Sequence, residues 1–444
     1  MIYNVIEYGA AGNGIGNDGP AIQRAVNACF EAGGGRVLLP SGGTYYSGPI
    51  ELKANVELHV EGGAVLKAST SREDYALPEE DAAARCTGLP LQAFVYARGA
   101  PNIRITGFGT IDGSAEAFRG ESDRYHTAGA VYPRPALIYL EACDHLTVRD
   151  ITLTNSHFWT LHPAGCNDVR ISGIRILNSL SMANSDGIDP DHCRNVRITD
   201  CHIEAADDCI VLKTTKGLMS YGPTENVIIA GCTLISTSAA IKLGTETWND
   251  IRNVTVSHCV IKDSNRGLSV QLRDQGNVEN ISFSDIIIET RRFDDRWWGR
   301  AEPISVTRFD RCEGERAGRL RNVRFRSITC KGENGIYLSG WEGNPLEEVV
   351  LEDIRVEIGK WTKWPGGCYD RRPSRLEPDH QEPTAGVYCA YAKDVTLRRV
   401  RVEWSGEPAA DQGAALKTVS VEALHIADFH GRAAHEGMPD IIEE

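Results

Sequence analysis

The sequence of 444 residues has only four methionines, few aromatic residues and fewer basic than acidic side chains. Lys and Arg total 47 against 61 Asp and Glu, which gives a formal net charge of -14. A chain this acidic is not expected to bind nucleic acid or an anionic membrane surface. No apolar run approaches the length that crosses a bilayer. These absences favour a soluble protein with neither nucleic acid nor membrane as a partner.

A secretory signal is also missing, because Met1–Tyr8 leads directly into patterned sequence without a basic segment followed by an apolar one. The chain has 13 cysteines, an odd number, and their positions explain them without disulfides. Cys201, Cys232 and Cys259 each lie six residues after an Asn that opens a short strand, where other segments carry Ile. Such cysteines are expected to be buried and reduced, so we expect a cytoplasmic protein.

Helical patterns are scarce, whereas short alternating strands recur along most of the chain. Successive strand openings between His145 and Asn280 are separated by 23, 27, 31, 27 and 27 residues. A period of this size with β-branched strands is typical of a right-handed parallel β-helix. Leucine-rich repeats have a similar period, but their leucine pattern and helical segments are missing here. The prediction is an all-β solenoid of roughly ten coils. Its strands open at Asn102, His145, Asp168, Asn195, Asn226, Asn253, Asn280, Asn322, Glu348 and Asp394.

The predicted solenoid is a single domain over residues 1–444, with a cap at each end. Residues 1–50 form the N-terminal cap, in which a helix begins behind Asp18 and covers the open edge of the first coil. Coils occupy residues 51–405, and residues 406–444 form the C-terminal cap. Loops that leave a solenoid often build its binding site. Such insertions are predicted near residues 113–134, 290–316 and 360–384.

The predicted coils bring three carboxylates together. The segments Asn184–Asp191 and Ala205–Lys213 flank one short strand. Aligning them on the repeat places Asp208 in the column of Asp186, with Asp207 beside it. Parallel strands lie about 4.8 Å apart, so Asp186 and Asp208 can hold a water molecule between them while Asp207 faces a leaving group. This is the arrangement that an inverting glycosidase requires.

Turn chemistry is the alternative explanation, since Asp before Gly at positions 186 and 187 is a common turn pair. Crowded carboxylates, however, repel one another unless a proton is shared, and such crowding raises one pKa, as a general acid requires. The catalytic interpretation is therefore favoured for Asp186, Asp207 and Asp208. Asp189 shares a column with His162 and is interpreted as structural.

Two motifs also carry a family resemblance. Asn184-Ser185-Asp186-Gly187 and Asp207-Asp208-Cys209, in this order and inside a repeat, resemble the two acidic blocks of glycoside hydrolase family 28, the polygalacturonase family. The resemblance extends over nearly the whole chain. It implies a pectin-lyase-like β-helix that hydrolyses glycosidic bonds with inversion. In that family pattern Asp207 resembles the general acid, and Asp186 and Asp208 resemble the pair that activates water.

Two other motifs of that family are missing. Ala239 stands where the family's Gly-His-Gly has its histidine, and Ser269 and Gln271 stand at the charged positions of its Arg-Ile-Lys. Arg and Lys there would bind a sugar carboxylate, so their loss argues against plain polygalacturonan as the substrate. Cations near these columns either bind an acidic sugar in another pose or neutralise the aspartates, and the loop tryptophan either walls a subsite or anchors its loop. The candidate substrate contacts are Lys213, Lys242, Arg266, Gln271, Arg273 and Trp297.

The large loops are expected to wall the groove, so the sequence predicts an exo-acting hydrolase for a pectin-derived or related acidic plant oligosaccharide. No cofactor or metal is expected. Three aspartates could bind Ca²⁺, but Ca²⁺-dependent pectate lyases use a different arrangement, and no Cys/His spacing resembles a zinc site. A polysaccharide lyase or epimerase on the same scaffold is one alternative, and a non-catalytic carbohydrate-binding β-helix is the other. The oligomeric state has no signal in the sequence.

Overall fold

The computed structural model describes residues 1–76, 93–126, 134–376 and 378–444. It divides into two compact units. The first consists of Met1–Asp207 and Thr215–Thr224, and the second of Asp208–Thr214 and Glu225–Glu444. Each unit is built mainly of short parallel β-strands. Among the described residues, none of the helices has both the length and the apolar character needed to span a bilayer.

The first unit has three rows of parallel strands, in which each strand pairs with its counterpart one coil later. The first row contains Ile2–Asn4, Gly35–Leu39, Val56–Val60, Arg104–Thr106, Leu146–Arg149, Asn167–Ser172 and Arg194–Thr199. The second contains Asn13–Asn17, Thr44–Ser47, Val65–Ala68, Thr110–Asp112, Thr152–Thr154, Arg175–Leu177 and His202–Ala205. The third contains Ile50–Glu51, Val95–Arg98, Ile138–Glu141 and Leu161–Ala164.

In the part of the first unit that the structure describes, the helices are one α-helix and several short 3₁₀ segments. The α-helix, Gly19–Glu31, buries Ile22, Val26 and Cys29 on one face. It contacts strands of the first coils, so the predicted capping helix is confirmed. Asp18 precedes it without capping it, because its carboxylate accepts hydrogen bonds from the backbone N–H groups of Ala11 at 2.6 Å and Gly12 at 3.1 Å. The 3₁₀ segments are Val5–Tyr8, Arg72–Tyr75, Ala115–Phe118 and Lys216–Tyr221.

The second unit repeats this plan with longer strands. Its first row contains Thr224–Ala230, Ile251–Ser257, Val278–Thr290, Leu320–Gly332, Leu346–Ile358, Val387–Trp404 and Leu416–Ala427. Its second row, Thr233–Ser236 and Val260–Ser264, continues into the later halves of those long strands. Its third row contains Ile210–Thr214, Ala239–Thr247, Arg266–Leu272, Ile304–Arg308, Ile336–Ser339 and Ile441–Glu443, joined through the starts of the last two long strands. An antiparallel hairpin pairs Cys368–Asp370 with Asp379–Gln381.

The residues that open the repeat strands have a shared physical role. Every one of the predicted openings, from Asn102 to Asp394, has a positive φ. Asn and Asp tolerate this left-handed conformation better than most residues because their short side chains bond locally. The Asn side chains also stack, since the amide of Asn253 donates to the amide oxygen of Asn226 at 3.1 Å and accepts from Asn280 at 3.2 Å. The Asn period therefore marks the corner of each coil.

The interior confirms the interpretation of the cysteines. Cys201, Cys232 and Cys259 are buried at the inward position that Ile286 and Ile328 occupy in later coils. Apart from Cys312, the cysteines in the described part of the chain are buried. They act as small apolar side chains in the core.

Parallel pairing reaches beyond the predicted boundaries of the coils. It already includes Ile2–Asn4 and it still includes Ile441–Glu443, so strands lie inside both predicted caps. The strand Ile304–Arg308 divides the insertion predicted near 290–316. Part of the insertion predicted near 113–134, residues 127–133, lies outside the described residues. The single-domain assignment stays a prediction.

Candidate active site

The third row of the first unit leads to the first predicted carboxylate. Isolated bridges join Leu161 to Ile188 and Ala164 to Asp191, a constant offset along the chain. The backbone N–H of Thr160 donates to the carbonyl oxygen of Asp186 at 2.9 Å. Asp186 therefore lies one coil after Trp159, as the aligned repeats predicted.

Asp186 and Asp207 lie close together within the first unit. An oxygen atom of the Asp186 carboxylate is within 4.8 Å of one from Asp207. Asp186 is buried, with 2% of its surface exposed, whereas Asp207 is partly exposed. The backbone N–H of Asn184 donates to Oδ2 of Asp207 at 3.3 Å, which ties the two predicted motifs together. A partly exposed carboxyl group beside a buried one suits an acid that must reach a leaving group.

Asp208, the next residue along the chain, begins the second unit and is held from both sides. Its Oδ1 accepts from the Ser238 hydroxyl at 3.0 Å and from the backbone N–H of Ala239 at 3.2 Å. Its Oδ2 accepts from Nζ of Lys242 at 2.7 Å. All these contacts are donated to the carboxylate, which is the pattern that an ionised Asp accepts. Asp208 is 1% exposed, so its orientation is fixed by packing as well.

The two predicted lysine contacts have different partners. Lys242 pairs with Asp208, while Nζ of Lys213 lies 3.5 Å from Oε2 of Glu246. Burial alone would raise the pKa of Glu246, but the positive charges of Lys213 and Lys242 bring it below the ordinary value. The sequence analysis missed Glu246 and Ser238. Both lie on the coil after Asp208, beside Ala239 and Lys242, so the register could have drawn attention to them.

A buried histidine and carboxylate stabilise the next part of the row. Nε2 of His162 lies 3.3 Å from Oδ2 of Asp191, and Asp191 also accepts from the backbone N–H and the hydroxyl of Thr215, each at 2.9 Å. Burial alone would raise the pKa of Asp191, but the contact with His162 lowers it. Asp189 is fully buried as well, and its backbone N–H donates to the carbonyl oxygen of Leu161 at 2.9 Å, so its structural role stays a prediction.

Four of the predicted sugar contacts are buried against the protein's own groups. Arg266 is 1% exposed and pairs with Glu302 at 3.3 Å. Arg273 is fully buried and donates to the carbonyl oxygen of Leu272 at 2.9 Å. Trp297 is 3% exposed and Gln271 is fully buried. Protein atoms surround these four side chains, and their contact with a sugar stays a prediction.

The residues from the later insertions cover this part of the third row. Asp370, in the hairpin, accepts from the backbone N–H of Gly299 at 2.7 Å and from Nη2 of Arg372 at 2.8 Å. Burial alone would raise the pKa of Asp370, but the hydrogen bond from Arg372 and the charge of Arg266 lower it to about 2. The contacts of Asp370 with Gly299 and Arg266 were invisible in the sequence, because these residues lie 71 and 104 positions from it.

The comparison with known proteins now decides the family. The model of glycosyl hydrolases family 28 matches residues 35–366. The chain belongs to this family. A relative named "Probable polygalacturonase" in Vitis vinifera is 27% identical over 389 residues, covering 83% of this chain and 77% of its own. The endo-polygalacturonase of Pectobacterium carotovorum subsp. carotovorum is 23% identical over 351 residues, covering 76% and 83% respectively.

Solved structures show the same architecture for this family 28 chain. An exopolygalacturonase from Thermotoga maritima superposes with a TM-score of 0.67 at 24% identity, covering 81% of this chain and 87% of its own. The predicted right-handed parallel β-helix is therefore confirmed, and so is the assignment to polygalacturonase-like glycoside hydrolases. The roles of the individual site residues stay predictions.

Proposed function

We propose that this family 28 enzyme hydrolyses a glycosidic bond in a pectin-derived or related acidic oligosaccharide, with inversion at the anomeric carbon. The observation that carries the proposal is the pair of carboxylates Asp186 and Asp207, within 4.8 Å of each other. Asp208 follows Asp207 directly and is held by the donors on Ser238, Ala239 and Lys242. Asp207 is partly exposed, whereas Asp208 is buried among hydrogen-bond donors. Such a difference in surroundings gives one carboxyl group the role of acid and the other the role of base.

The proposed reaction assigns one role to each carboxyl group. Asp207 donates its proton to the oxygen of the leaving sugar as the bond from the anomeric carbon to that oxygen breaks. A water molecule attacks the opposite face of the same carbon and gives its proton to a second carboxylate, for which Asp186 and Asp208 are the candidates. One water is consumed and two free sugar ends result. A base-activated water opposite a separate acid is the arrangement of an inverting enzyme.

We further propose that the enzyme acts from a chain end. Beyond Lys242 in the third row of the second unit, the side chains in register are Ser269 and then Ser305. Both are fully buried, as is Gln271 on the same strand as Ser269. These side chains are therefore not accessible to further sugars past Lys242 in the described structure, which favours a binding site that ends near this row. Relatives include both endo- and exopolygalacturonases, so product analysis has to decide.

The test compares Asp207→Asn with a matched control. General acid catalysis supplies about 10² to 10⁴ in rate, so Asp207→Asn should lower kcat by that amount on the oligosaccharide that the wild type cleaves best. Asp394→Asn is the control, because Asp394 is exposed and has a positive φ that Asn also accepts. It should keep full activity.

A panel of defined pectic oligosaccharides provides the substrate, with products separated by chromatography over time. Removal of one or two sugars at a time, without intermediate fragments, supports exo action. Early fragments of intermediate size would contradict it. An unsaturated product absorbing in the ultraviolet would contradict hydrolysis itself.

A further inference from the structure

The cation that contacts Asp208 comes from an unexpected position. Where the family has the histidine of Gly-His-Gly, this chain has Ala239, which contributes only its backbone N–H. Lys242 lies three residues later on the same strand, Ala239–Thr247. Its ammonium reaches Oδ2 of Asp208 at 2.7 Å. The strand thus contacts both oxygens of Asp208 without a histidine.

We propose that Lys242 is a positioning residue that holds the Asp208 carboxylate in the orientation needed to activate water. The proposal rests on the hydrolase function given above and adds a residue to it. Lys242 acts through Asp208 and not on the sugar. It takes the place, in this chain, of a side chain that Ala239 cannot supply.

The surroundings of Lys242 favour this role over the predicted contact with a sugar carboxylate. Lys242 is only 5% exposed, and its ammonium also lies over the ring of Trp298, 5.4 Å from the centroid. A buried ammonium between a carboxylate and an aromatic face has little freedom to turn towards a ligand. Glu246 on the same strand pairs with Lys213 instead, at 3.5 Å, so Lys242 remains directed at Asp208.

Asp208 is oriented by hydrogen bonds to both of its carboxylate oxygens. Ser238 and Ala239 donate to Oδ1, and Lys242 donates to Oδ2. Removal of Lys242 would take this donor away from a buried carboxylate. A buried charge that loses its partner is strongly disfavoured. The side chain would then turn towards another donor, and the attacking water would lose its acceptor at the required place.

The kinetic test uses Lys242→Met, Lys242→Arg and a control. Lys242→Met keeps the length of the side chain and removes the charge, so kcat should fall about 10²-fold, within the range of acid–base catalysis, while KM changes less than about twofold. Lys242→Arg should restore most of kcat, since a cation again reaches Asp208. Lys417→Met removes a lysine pair with Glu382 elsewhere in the second unit and should change neither constant.

The opposite kinetic pattern would overturn the proposal. A rise in KM with unchanged kcat, seen for acidic and not for neutral oligosaccharides, would mean that Lys242 binds a sugar carboxylate. An equal loss in Lys242→Met and Lys242→Arg would also contradict the positioning role.

A crystal structure of unliganded Lys242→Met separates this proposal from the proposed function. Asp208 is expected to turn away from Ser238 and from the backbone N–H of Ala239. An unmoved Asp208 would overturn the positioning role. This readout needs no substrate, so if the wild type cleaves none of the oligosaccharides, the hydrolase proposal fails while the structure still decides the role of Lys242.

Discussion

The third rows of the two units differ in what surrounds their outward side chains. In the first unit, Tyr96 and Trp159 are partly exposed, whereas Tyr139, in register with Tyr96 one coil later, is buried in the aromatic cluster against which both of them pack. In the second unit, Ser269 and Ser305 are fully buried, although they occupy equivalent outward positions on their strands. Beside the second row of serines, Arg266 donates to the carbonyl oxygen of Asp370 at 3.2 Å, so residues of a later insertion pack against these strands. Aromatic side chains therefore surround one row, and residues of an inserted loop pack against the other.

Acid stability should expose a difference between the units, and this is the largest effect on stability that we expect. In the first unit, burial lowers the pKa of His157 to about 4. The unfolded chain binds this proton near pH 6.5. His157 is therefore neutral in the folded protein, and stability is present above pH 6.5 and is lost as the pH falls towards 4. The shift corresponds to roughly 3 kcal/mol.

The second unit should lose stability at lower pH. Asp370 has its folded pKa lowered to about 2, so its contribution is present above the unfolded value near 3.9 and is lost only as the pH falls towards 2. Thermal unfolding followed from pH 8 to pH 2 measures both windows. His157→Gln should flatten the dependence of the melting temperature on pH between pH 6.5 and 4, and Asp370→Asn should not. If the melting temperature depends on pH equally in the wild type and in His157→Gln, His157 does not cause the loss of stability in this range.

Sugar binding should show a smaller difference between the two rows. Trp159 lies one coil before Asp186 and is held by stacking on Phe158, with ring centroids 5.2 Å apart. If the substrate lies over this row, loss of the ring in Trp159→Ala costs up to about 1.5 kcal/mol of contact, or about a tenfold rise in KM. Ser305→Ala, in the covered row, should leave KM unchanged.

Binding kinetics across the oligosaccharide panel measure this contrast. A rise in KM for Ser305→Ala equal to that for Trp159→Ala would mean that the cover opens during turnover. The comparison between an exposed and a covered row would then no longer explain exo action.

The coil architecture was predictable because it depends on local residues repeated at a fixed period. Asn226 and Asn253 mark corners, and Cys232 and Cys259 mark the inward positions, so the register followed from the sequence. The same register placed Asp186 one coil after Trp159. These features need only neighbouring coils, which is why one sequence sufficed.

The covered row could not be predicted because its contacts join distant parts of the chain. Arg266 pairs with Glu302 and donates to the carbonyl oxygen of Asp370 at 3.2 Å, over a separation of about a hundred residues. A positive side chain beside an acidic cluster was therefore interpreted as a sugar contact. The pairing of Lys242 with Asp208 was among the alternatives, since neutralising the aspartates was an explanation that the sequence left open.

The anomer that appears first is the most direct measure of the central claim, that water attacks the anomeric carbon on the face opposite the acid Asp207. Proton NMR during the first minutes of digestion distinguishes the two anomers before they interconvert. The account predicts that the anomer opposite in configuration to the cleaved bond accumulates first. Initial release of the anomer with the original configuration would contradict it.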